Sequence, residues 1–385
     1  MDEAPAIRLV YELINNALHI QASDIHCEPL REHLRIRYRV DGVLFDQSPI
    51  ETSIASQVLS RIKVLAHIDV AERRIPQDGK FSIIVAAGTV DFRVATFPSL
   101  YGEKIVVRIL DRCATIFNIQ NIGLNHDMRA SVSSIMHKPR GFFLVTGPTG
   151  SGKTTTLYAA LSLINNHKKN IVTLEDPVEY TIDGITQGLI NQDIGFTFER
   201  GIRALLRQDP DVIMVGEIRD AQTARVAIQA ALTGHLVIST LHTNDAPGAL
   251  MRLLDMNIEP FLINAALTGV LAQRLARRLC ASCRYEVPLD SNMQAVIERY
   301  GLLINHAFMA SGCEECYGLG ERGRIGLFEC LAISERIRTL LHDKPDFDTI
   351  SGQAWHNGWR PLLYDAACKV DEGIISFNEI LNLVA

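Results

Sequence analysis

The stretch Gly141-Phe-Phe-Leu-Val-Thr146, followed by Gly147-Pro-Thr-Gly-Ser-Gly-Lys153-Thr154, decides how this chain folds. Its first six residues have the uninterrupted apolar character of a strand that is buried on both faces of a sheet. A glycine-rich loop follows at once, and residues 154–164 then have the pattern of a helix. Strand, glycine loop and helix in this order predict an α/β domain with a parallel sheet.

The glycine loop has the chemistry of a site for nucleotide phosphates. The pattern G-x-x-x-x-G-K-T allows backbone N–H groups to crowd around phosphate, while Lys153 reaches the β and γ phosphates and Thr154 offers its hydroxyl to Mg²⁺. We therefore predict that the chain binds ATP and Mg²⁺ here. The predicted nucleotide-binding residues are Gly147, Pro148, Thr149, Gly150, Ser151, Gly152, Lys153, Thr154 and Thr155.

Two further apolar strands end in acidic residues, at the edge where a parallel sheet binds its ligands. One leads to Glu217, which follows Gly216 at the place where many enzymes with this loop have a metal-binding aspartate. The other ends at Glu175, with Asp176 and Glu179 just beyond it. Glu217 and Glu175 are the candidates for polarising the attacking water or holding the metal's water shell, and the sequence does not rank them. The alternative is that these acids are solvated surface residues.

An alanine-rich segment, residues 221–233, predicts a helix that Gly234 closes. The strand after it is framed by His235 and His242, and either histidine could sense the γ phosphate. His242 is thus a candidate catalytic residue and His235 a candidate nucleotide contact. Packing or hydrogen bonding is an equally weighted interpretation of both histidines.

The residues before this region have the pattern of a separate, smaller α+β domain. Asp41-Gly42 is typical of a tight hairpin turn. Helices are expected at 6–19 and 54–66, and strands at 35–40, 43–45, 81–86, 91–97 and 105–110. We predict an N-terminal domain over residues 1–110, a linker over 111–124 and an ATPase domain over 125–385.

Four of the eight cysteines form two C-x-x-C pairs, Cys280 with Cys283 and Cys313 with Cys316, which bracket 29 residues. This spacing suits a tetrahedral zinc site with four thiolates, and a redox-active pair is the alternative. We expect the module to occupy 280–330 and the chain to be mostly helical otherwise after about residue 245, including C-terminal helices over 331–385. The other cysteines are expected to be small buried residues: Cys27, Cys113, Cys330 and Cys368.

Composition excludes some classes of protein. The chain has 385 residues, 47% of them hydrophobic, which is enough for two or three packed domains. The net charge of −6 and the dispersed basic residues argue against a nucleic-acid partner. No apolar run reaches the roughly 18 residues of a membrane span, and the first residues lack the layout of a signal peptide, so we expect a cytoplasmic location.

Several segments together resemble the secretion ATPases of the type II secretion and type IV pilus assembly family, nearly end to end. The Gly216-Glu217 pair, unusual elsewhere, is similar to the usual form in this family. The segments that carry the resemblance are 22–29, 37–42, 74–79, the glycine loop, the acidic stretches at Glu175 and Glu217, and the paired histidines.

The resemblance implies a RecA-like P-loop NTPase core, a smaller PAS-like α+β N-terminal domain and a four-cysteine zinc lobe. It also implies a homo-hexameric ring, in which each N-terminal domain packs against the ATPase domain of a neighbour. Arg93 and Arg108 match the positions of the family's arginine fingers, and solvated strand residues are the alternative. Asp24 and His26 lie in a box that the resemblance identifies as structural.

The resemblance further implies an ATP-hydrolysing motor that powers assembly of pilin or pseudopilin subunits through an inner-membrane platform protein. Assembly and secretion ATPases typically carry the four-cysteine module and retraction ATPases typically lack it, so a pilus-retraction ATPase is the second choice. A nucleic-acid translocase is a more distant alternative. The family often has a further N-terminal domain that docks on a membrane-anchored adaptor; this sequence starts at the helix before Ser23, and we expect either a truncated chain or a short member. Association with the inner membrane is expected through such partners.

Overall fold

A computed structural model describes residues 5–85, 88–111, 117–342 and 345–384. The chain divides into two compact units, Met1–Ile116 and Phe117–Ala385. Cys113 and part of the predicted linker lie outside the described residues.

The described residues of the first unit form one antiparallel sheet and two helices. The sheet has the order β3-β2-β1-β7-β6-β5, with β4 beside β2. Its elements are α1 (Pro5–His19), β1 (Asp24–Pro29), β2 (His33–Val40), β3 (Val43–Asp46), β4 (Ile50–Glu51), α2 (Thr52–Leu65), β5 (Asp78–Val85), β6 (Gly88–Ser99) and β7 (Gly102–Asp111). The predicted helices and strands of this segment are confirmed to within a few residues.

Alternation along the strands gives this sheet one apolar and one charged face. In β2, the buried residues Leu34, Ile36, Tyr38 and Val40 alternate with three arginines. The apolar residues join those of α1 and α2 in one core. The predicted hairpin turn is also confirmed: Asp41 and Gly42 have φ values of 47° and 89°, as a type I′ turn requires at both central positions.

The second unit contains a seven-stranded sheet of order β10-β9-β11-β12-β8-β13-β16. All neighbouring strands are parallel except β16, which runs antiparallel to β13. Its first elements are α3 (His126–Met136), β8 (Gly141–Thr146), α4 (Lys153–Ile164), β9 (Ile171–Glu175), β10 (Thr186–Leu189), α5 (Phe198–Leu205), β11 (Val212–Val215), α6 (Ala221–Leu232), β12 (Leu236–Leu241), α7 (Ala246–Asp255) and α8 (Pro260–Ala266). The remaining elements are β13 (Leu267–Leu279), β14 (Arg284–Val287), α9 (Ser291–Tyr300), β15 (Ala307–Ala310), β16 (Glu321–Ala332), α10 (Glu335–His342), α11 (Phe347–His356), α12 (Leu362–Asp371) and α13 (Phe377–Val384).

Helices cover both faces of this sheet, as its uninterrupted apolar strands require. In β8, Phe143 and Val145 pack in the core formed with α3 and α4. Phe142 and Leu144 point the other way, into the core formed with α6, α7 and α8. The predicted α/β class is confirmed.

The prediction that the chain is mostly helical after about residue 245 is wrong for β13, and β16, which falls almost entirely within the predicted cysteine module, belongs to the main sheet instead. These strands are 13 and 12 residues long and pair with each other. The sequence of β13 is rich in leucine, alanine and arginine, which are good helix formers. It is a strand because β8 and β16 flank it and bury it, and such a tertiary environment overrides intrinsic propensity.

Candidate nucleotide and metal sites

The carboxyl ends of the parallel strands bring most of the predicted site residues of the second unit to one cleft of about 820 Å³. The loop after β8 forms one wall, and Glu175, Glu217 and His242 follow β9, β11 and β12. The predicted residues that line the cleft are Thr149, Gly150, Ser151, Gly152, Lys153, Thr154, Thr155, Glu175, Asp176, Glu179, Glu217 and His242. Arg219, Leu275 and Arg324 also line it, and sequence reasoning did not predict them as site residues.

Glycine is required where the loop turns tightly. A Cβ on Gly147 would lie 2.3 Å from the carbonyl oxygen of Gln273, which no real side chain could do. Gly152, the N-cap of α4, has a φ of 83°, in the left-handed region. Gln273 also supports the loop, because its side-chain amide donates to the carbonyl of Ser151 at 2.6 Å. Gln273 was missed because its position follows from the pairing of β13 with β8, which the sequence did not reveal.

Lys153 is folded back onto the loop. Its ammonium donates to the carbonyls of Gly147 and Pro148, both at 2.9 Å. Burial lowers the pKa of Lys153, and the nearby carboxylate of Glu217 opposes that shift. The loop therefore presents a partly desolvated cation beside the N-terminus of α4, an arrangement suited to phosphate.

Glu175 is almost completely buried, and three side chains hold its carboxylate. Thr173 donates to Oε1 at 2.6 Å and the amide of Gln187 donates to the same oxygen at 3.0 Å. The hydroxyl of Tyr158 donates to Oε2, and burial together with this bond raises the pKa of Tyr158. Glu175 is thus oriented before any ligand binds. Sequence reasoning missed all three partners: Thr173 shares a strand face with Glu175 by its two-residue spacing, whereas Tyr158 and Gln187 come from other elements and have no such signal.

Glu217 lies in a more open environment. Arg219 donates a hydrogen bond to Oε1, and His242 Nε2 lies 3.6 Å from Oε2. Burial lowers the pKa of His242 and the charge of Lys153 lowers it further, while Glu217 opposes the shift, so the cleft favours the neutral imidazole. A neutral imidazole keeps one N–H to donate and one nitrogen to accept.

The structure does not bring His235 to the cleft. His235 precedes β12 and His242 follows it, a separation of roughly 23 Å along the strand direction. The Nδ1 atom of His235 lies 2.9 Å from the carbonyl oxygen of Ala230 in the preceding helix. Within one copy of the chain, this geometry fits the hydrogen-bonding interpretation of His235 better than a phosphate contact.

Arg93 and Arg108 lie on the charged face of the first unit. They are directly opposite each other on β6 and β7, and the row continues through Lys80 on β5 and through Asp24 and Arg39 on β1 and β2. Asp24 is buried and accepts from Arg108 at 2.9 Å. Adjacent like charges destabilise a sheet, so this row is suited to an anionic partner. Lys80 and Arg39 were missed because only strand register reveals the row.

The two C-x-x-C pairs converge, and their sulfur atoms all lie within 4.8 Å of one another. The Sγ atom of Cys280 is 3.7 Å from that of Cys313, and those of Cys283 and Cys316 are 3.8 Å apart. Four thiolates placed tetrahedrally around zinc, at about 2.3 Å from it, are separated by about 3.8 Å. These residues therefore fit a closed zinc site. We use the term cysteine lobe for residues 280–320, because β16 begins at Glu321 and belongs to the main sheet.

Other predicted cysteines differ in burial. Cys27 is fully buried, as predicted, whereas Cys368 on α12 is exposed and that prediction is wrong. Cys330 is intermediate in exposure. Among the described residues, none of the helices is both long and apolar enough to span a bilayer.

A glycine loop between a buried strand and a helix, faced by acids from two neighbouring strands, defines a P-loop nucleotide hydrolase. The family model described as Type II/IV secretion system protein matches residues 1–382. The chain belongs to this family.

Characterised relatives agree with this assignment. The chain is 46% identical over 382 residues to Type II secretion system protein E of Pseudomonas aeruginosa, covering 99% of this chain and 76% of the relative. It is 44% identical over 383 residues to Type II secretion system ATPase E of Vibrio cholerae, with the same coverage of 99% and 76%.

Solved structures share the fold. The pilus retraction motor PilT with bound ADP has a TM-score of 0.65 at 25% identity and covers 97% of this chain and 96% of its own. The ATPase DotB of Legionella pneumophila has a TM-score of 0.73 at 20% identity, covering 100% and 97%, and shows the fold alone. The predicted family, the ATPase fold, the enzyme class and the general function of a secretion motor are confirmed.

Proposed function

We propose that this chain is the ATP-hydrolysing motor of a type II secretion system, where it drives assembly of pseudopilin subunits through an inner-membrane platform protein. The observation that carries the proposal is the convergence of Lys153, Glu175, Glu217 and His242 in one cleft, in a chain whose relatives are named for type II secretion. A motor that assembles pilin in a type IV pilus would hydrolyse ATP in the same way and would act on a different subunit.

Different groups of the phosphate loop bind the phosphates and Mg²⁺. Backbone N–H groups of the loop and the N-terminus of α4 hold the phosphates, and Lys153 leaves the carbonyls of Gly147 and Pro148 to reach the β and γ phosphates. Thr154 offers its hydroxyl to Mg²⁺, which when bound neutralises developing charge on the phosphates.

The two acids have different environments, and we assign them different tasks. Glu175 is held rigidly by three neutral donors, which suits a residue that orients and deprotonates the attacking water. Glu217 faces Lys153 and is paired with Arg219, which suits a residue at the metal's water shell. His242, beside Glu217, is suited to donating its N–H to the γ phosphate.

Arg93 and Arg108 are proposed to act on the nucleotide held by another copy of the chain in a homo-hexameric ring. Their exposure and the excess of positive charge in their row support this role. An arginine finger is worth about 10³ to 10⁵ in rate. Arg35→Ala is a matched control, because Arg35 is a half-buried arginine of the same sheet that already pairs with Asp46.

Zinc is proposed to be a structural metal in the cysteine lobe. The four sulfur atoms leave no position for a substrate in a tetrahedral shell, so zinc would stabilise the lobe and take no part in hydrolysis. The motor is proposed to act in the cytoplasm, recruited to the inner membrane by the platform protein and a membrane-anchored adaptor. Nucleic acid is not a proposed partner.

The decisive experiment is to measure secretion in the native organism carrying Lys153→Ala. We expect secreted enzymes to disappear from the medium and to accumulate behind the outer membrane. Lys168→Ala, which changes an exposed lysine of the loop after α4, is the matched control and should secrete normally. Loss of surface pilin with normal enzyme secretion would assign the motor to a pilus. Normal secretion and normal pili in Lys153→Ala would refute the proposal.

The same strain separates assembly from retraction. A retraction motor that has lost its activity leaves pili or pseudopili in excess, whereas a lost assembly motor leaves none. An increase in surface fibres in Lys153→Ala would therefore favour retraction, the function for which the structural neighbour PilT is named.

A further inference from the structure

A buried carboxylate lies behind the nucleotide cleft, outside every motif described above. Glu329, on β16, is only 1% exposed. Its Oε1 accepts a hydrogen bond from the N–H of Ala246 at 2.5 Å, and its Oε2 accepts one from the N–H of Leu362 at 2.8 Å. These are the first residues of α7 and α12. One carboxylate thus caps two helices at the ends where their dipoles favour negative charge.

The first of these helices is connected to the nucleotide cleft. Thr146, the last residue of β8 before the loop, accepts from the N–H of Thr243 at 2.9 Å. The hydroxyl of Thr243 donates to the carbonyl of Asp245 at 2.9 Å, and Ala246 follows directly. His242, which lines the cleft, is one residue earlier, so a short hydrogen-bonded segment connects the cleft to the start of α7.

The sheet places Glu329 level with the loop. Ala272 on β13 pairs with Thr146 on one side and with Glu329 on the other. The carboxylate therefore lies two strands away from the residue that precedes the phosphate loop, roughly 10 Å in the hydrogen-bonding direction.

The second helix, α12, reaches the cysteine lobe. At its far end the Oδ1 atom of Asp371 accepts from the N–H groups of Asn305 and His306, at 2.6 and 2.9 Å. These two residues immediately precede β15, which pairs with β14 between the cysteine pairs. Arg284, the first residue of β14, donates to the carbonyl of Gly373 just beyond α12. The helix is thus held at one end by Glu329 and at the other by the lobe.

We propose that Glu329 is a positioning residue that couples the nucleotide cleft to the cysteine lobe through α12. The inference rests on the proposed binding of ATP at the loop. When His242 and Thr243 respond to the γ phosphate, the N–H of Ala246 moves. The buried carboxylate follows it because an unpaired carboxylate in this dry position is costly. Leu362 moves with the other oxygen, and a helix of 10 residues, about 15 Å long, carries the displacement to the lobe.

The test is amide hydrogen exchange on the full zinc-loaded chain, with and without a non-hydrolysable ATP analogue and Mg²⁺. Three segments are followed: the phosphate loop at 147–154, the first turn of α12 at 362–365, and the lobe at 305–310. In the unaltered protein we expect the analogue to change exchange in all three. In Glu329→Gln we expect an unchanged effect at the loop and at least a fivefold smaller effect in the lobe. Glutamine offers one acceptor oxygen, so one helix loses its cap.

A second variant keeps the test independent of any folding defect at the buried site. Asp371→Asn lies at the partly exposed far end of α12 and weakens only the contact with Asn305 and His306. It should reduce the lobe response in the same way and leave that of the first turn of α12 intact. Glu372→Gln, at the neighbouring exposed acid, is the matched control and should respond like the unaltered protein.

Each outcome decides the matter. A lobe that responds fully in Glu329→Gln or in Asp371→Asn overturns the coupling. A lobe that never responds in the unaltered protein, while the loop does, also overturns it and leaves the proposed function standing. A loop that shows no protection overturns nucleotide binding at this site, and the coupling with it.

Discussion

Replacing Glu329 by glutamine should change how the stability of the second unit depends on pH. Burial raises the pKa of this carboxyl from 4.5 to about 7, although the amides of Ala246 and Leu362 and the charge of Arg274 oppose the shift. Asp245 adds to the rise. One pKa unit corresponds to about 1.4 kcal/mol, so the rise corresponds to about 3 kcal/mol of unfolding free energy.

The sign follows from proton binding. The folded chain holds this proton more tightly than the unfolded chain does, so the cost of burying the charge is absent below pH 4.5 and complete above pH 7. A neutral glutamine does not incur this cost. Relative to the unaltered protein, Glu329→Gln should therefore gain about 3 kcal/mol between pH 5 and pH 8.

Thermal unfolding at pH 5 and pH 8 measures the effect. For a unit of this size 1 kcal/mol shifts Tm by about 2 to 4 °C, so the difference in Tm between the two proteins should change by about 6 to 12 °C. The perturbed histidines, His26, His242 and His306, are present in both proteins, so their titration largely cancels in the difference. Parallel pH dependences in the two proteins would refute the reasoning.

Three further outcomes test the proposed site. Glu175→Gln should lower kcat by about 10² to 10⁴ without changing the Mg²⁺ concentration needed for half-maximal activity, whereas Glu217→Gln should raise that concentration. If Glu175→Gln instead raised the Mg²⁺ requirement and Glu217→Gln did not, the two roles would be exchanged. Arg108→Ala should lower kcat about 10³-fold or more, while the nucleotide affinity of the isolated chain is retained. The specific ATPase activity of the unaltered protein should rise with protein concentration, and a flat dependence would count against sites shared between copies. Cys313→Ser should release the one zinc ion expected per chain and unfold the cysteine lobe, because a structural zinc site contributes about 10 to 16 kcal/mol to folding. Metal analysis and hydrogen exchange of the lobe measure these effects, and an intact lobe without zinc would contradict the prediction.

The sequence predicts best the features whose cause is local. The phosphate loop needs glycines, a lysine and a threonine within eight residues, and the strand and helix beside it have strong patterns of their own. The hairpin at Asp41-Gly42 is similar, because both residues must adopt positive φ. The cysteine site is also predictable from local sequence, because paired C-x-x-C motifs are typical of tetrahedral zinc sites.

Features that depend on strand register could not be predicted. Arg93 and Arg108 were identified, yet the row that joins them to Lys80 and Asp24 exists only because four strands align. Two of the three donors around Glu175, Tyr158 and Gln187, come from other elements that the sequence does not place beside it. Register is a property of the assembled sheet, and the pattern along each strand shows which residues share a face without showing which residues lie opposite them on the next strand.

The unpredicted pairing of β13 and β16 limited what the sequence could say about the site. The composition of β13 also suits a helix, and β16 falls almost entirely within the predicted cysteine module, so the sequence placed neither strand in the main sheet. Yet this pairing positions Gln273 under the phosphate loop and Glu329 two strands from Thr146. Glu329 falls within the predicted cysteine module, and only the assignment of β16 as a strand of the main sheet places this acid in the core. The residues that link the nucleotide cleft to the rest of the unit are therefore placed by pairing between strands that are distant in sequence. They can be identified only when the strand order of the sheet is known.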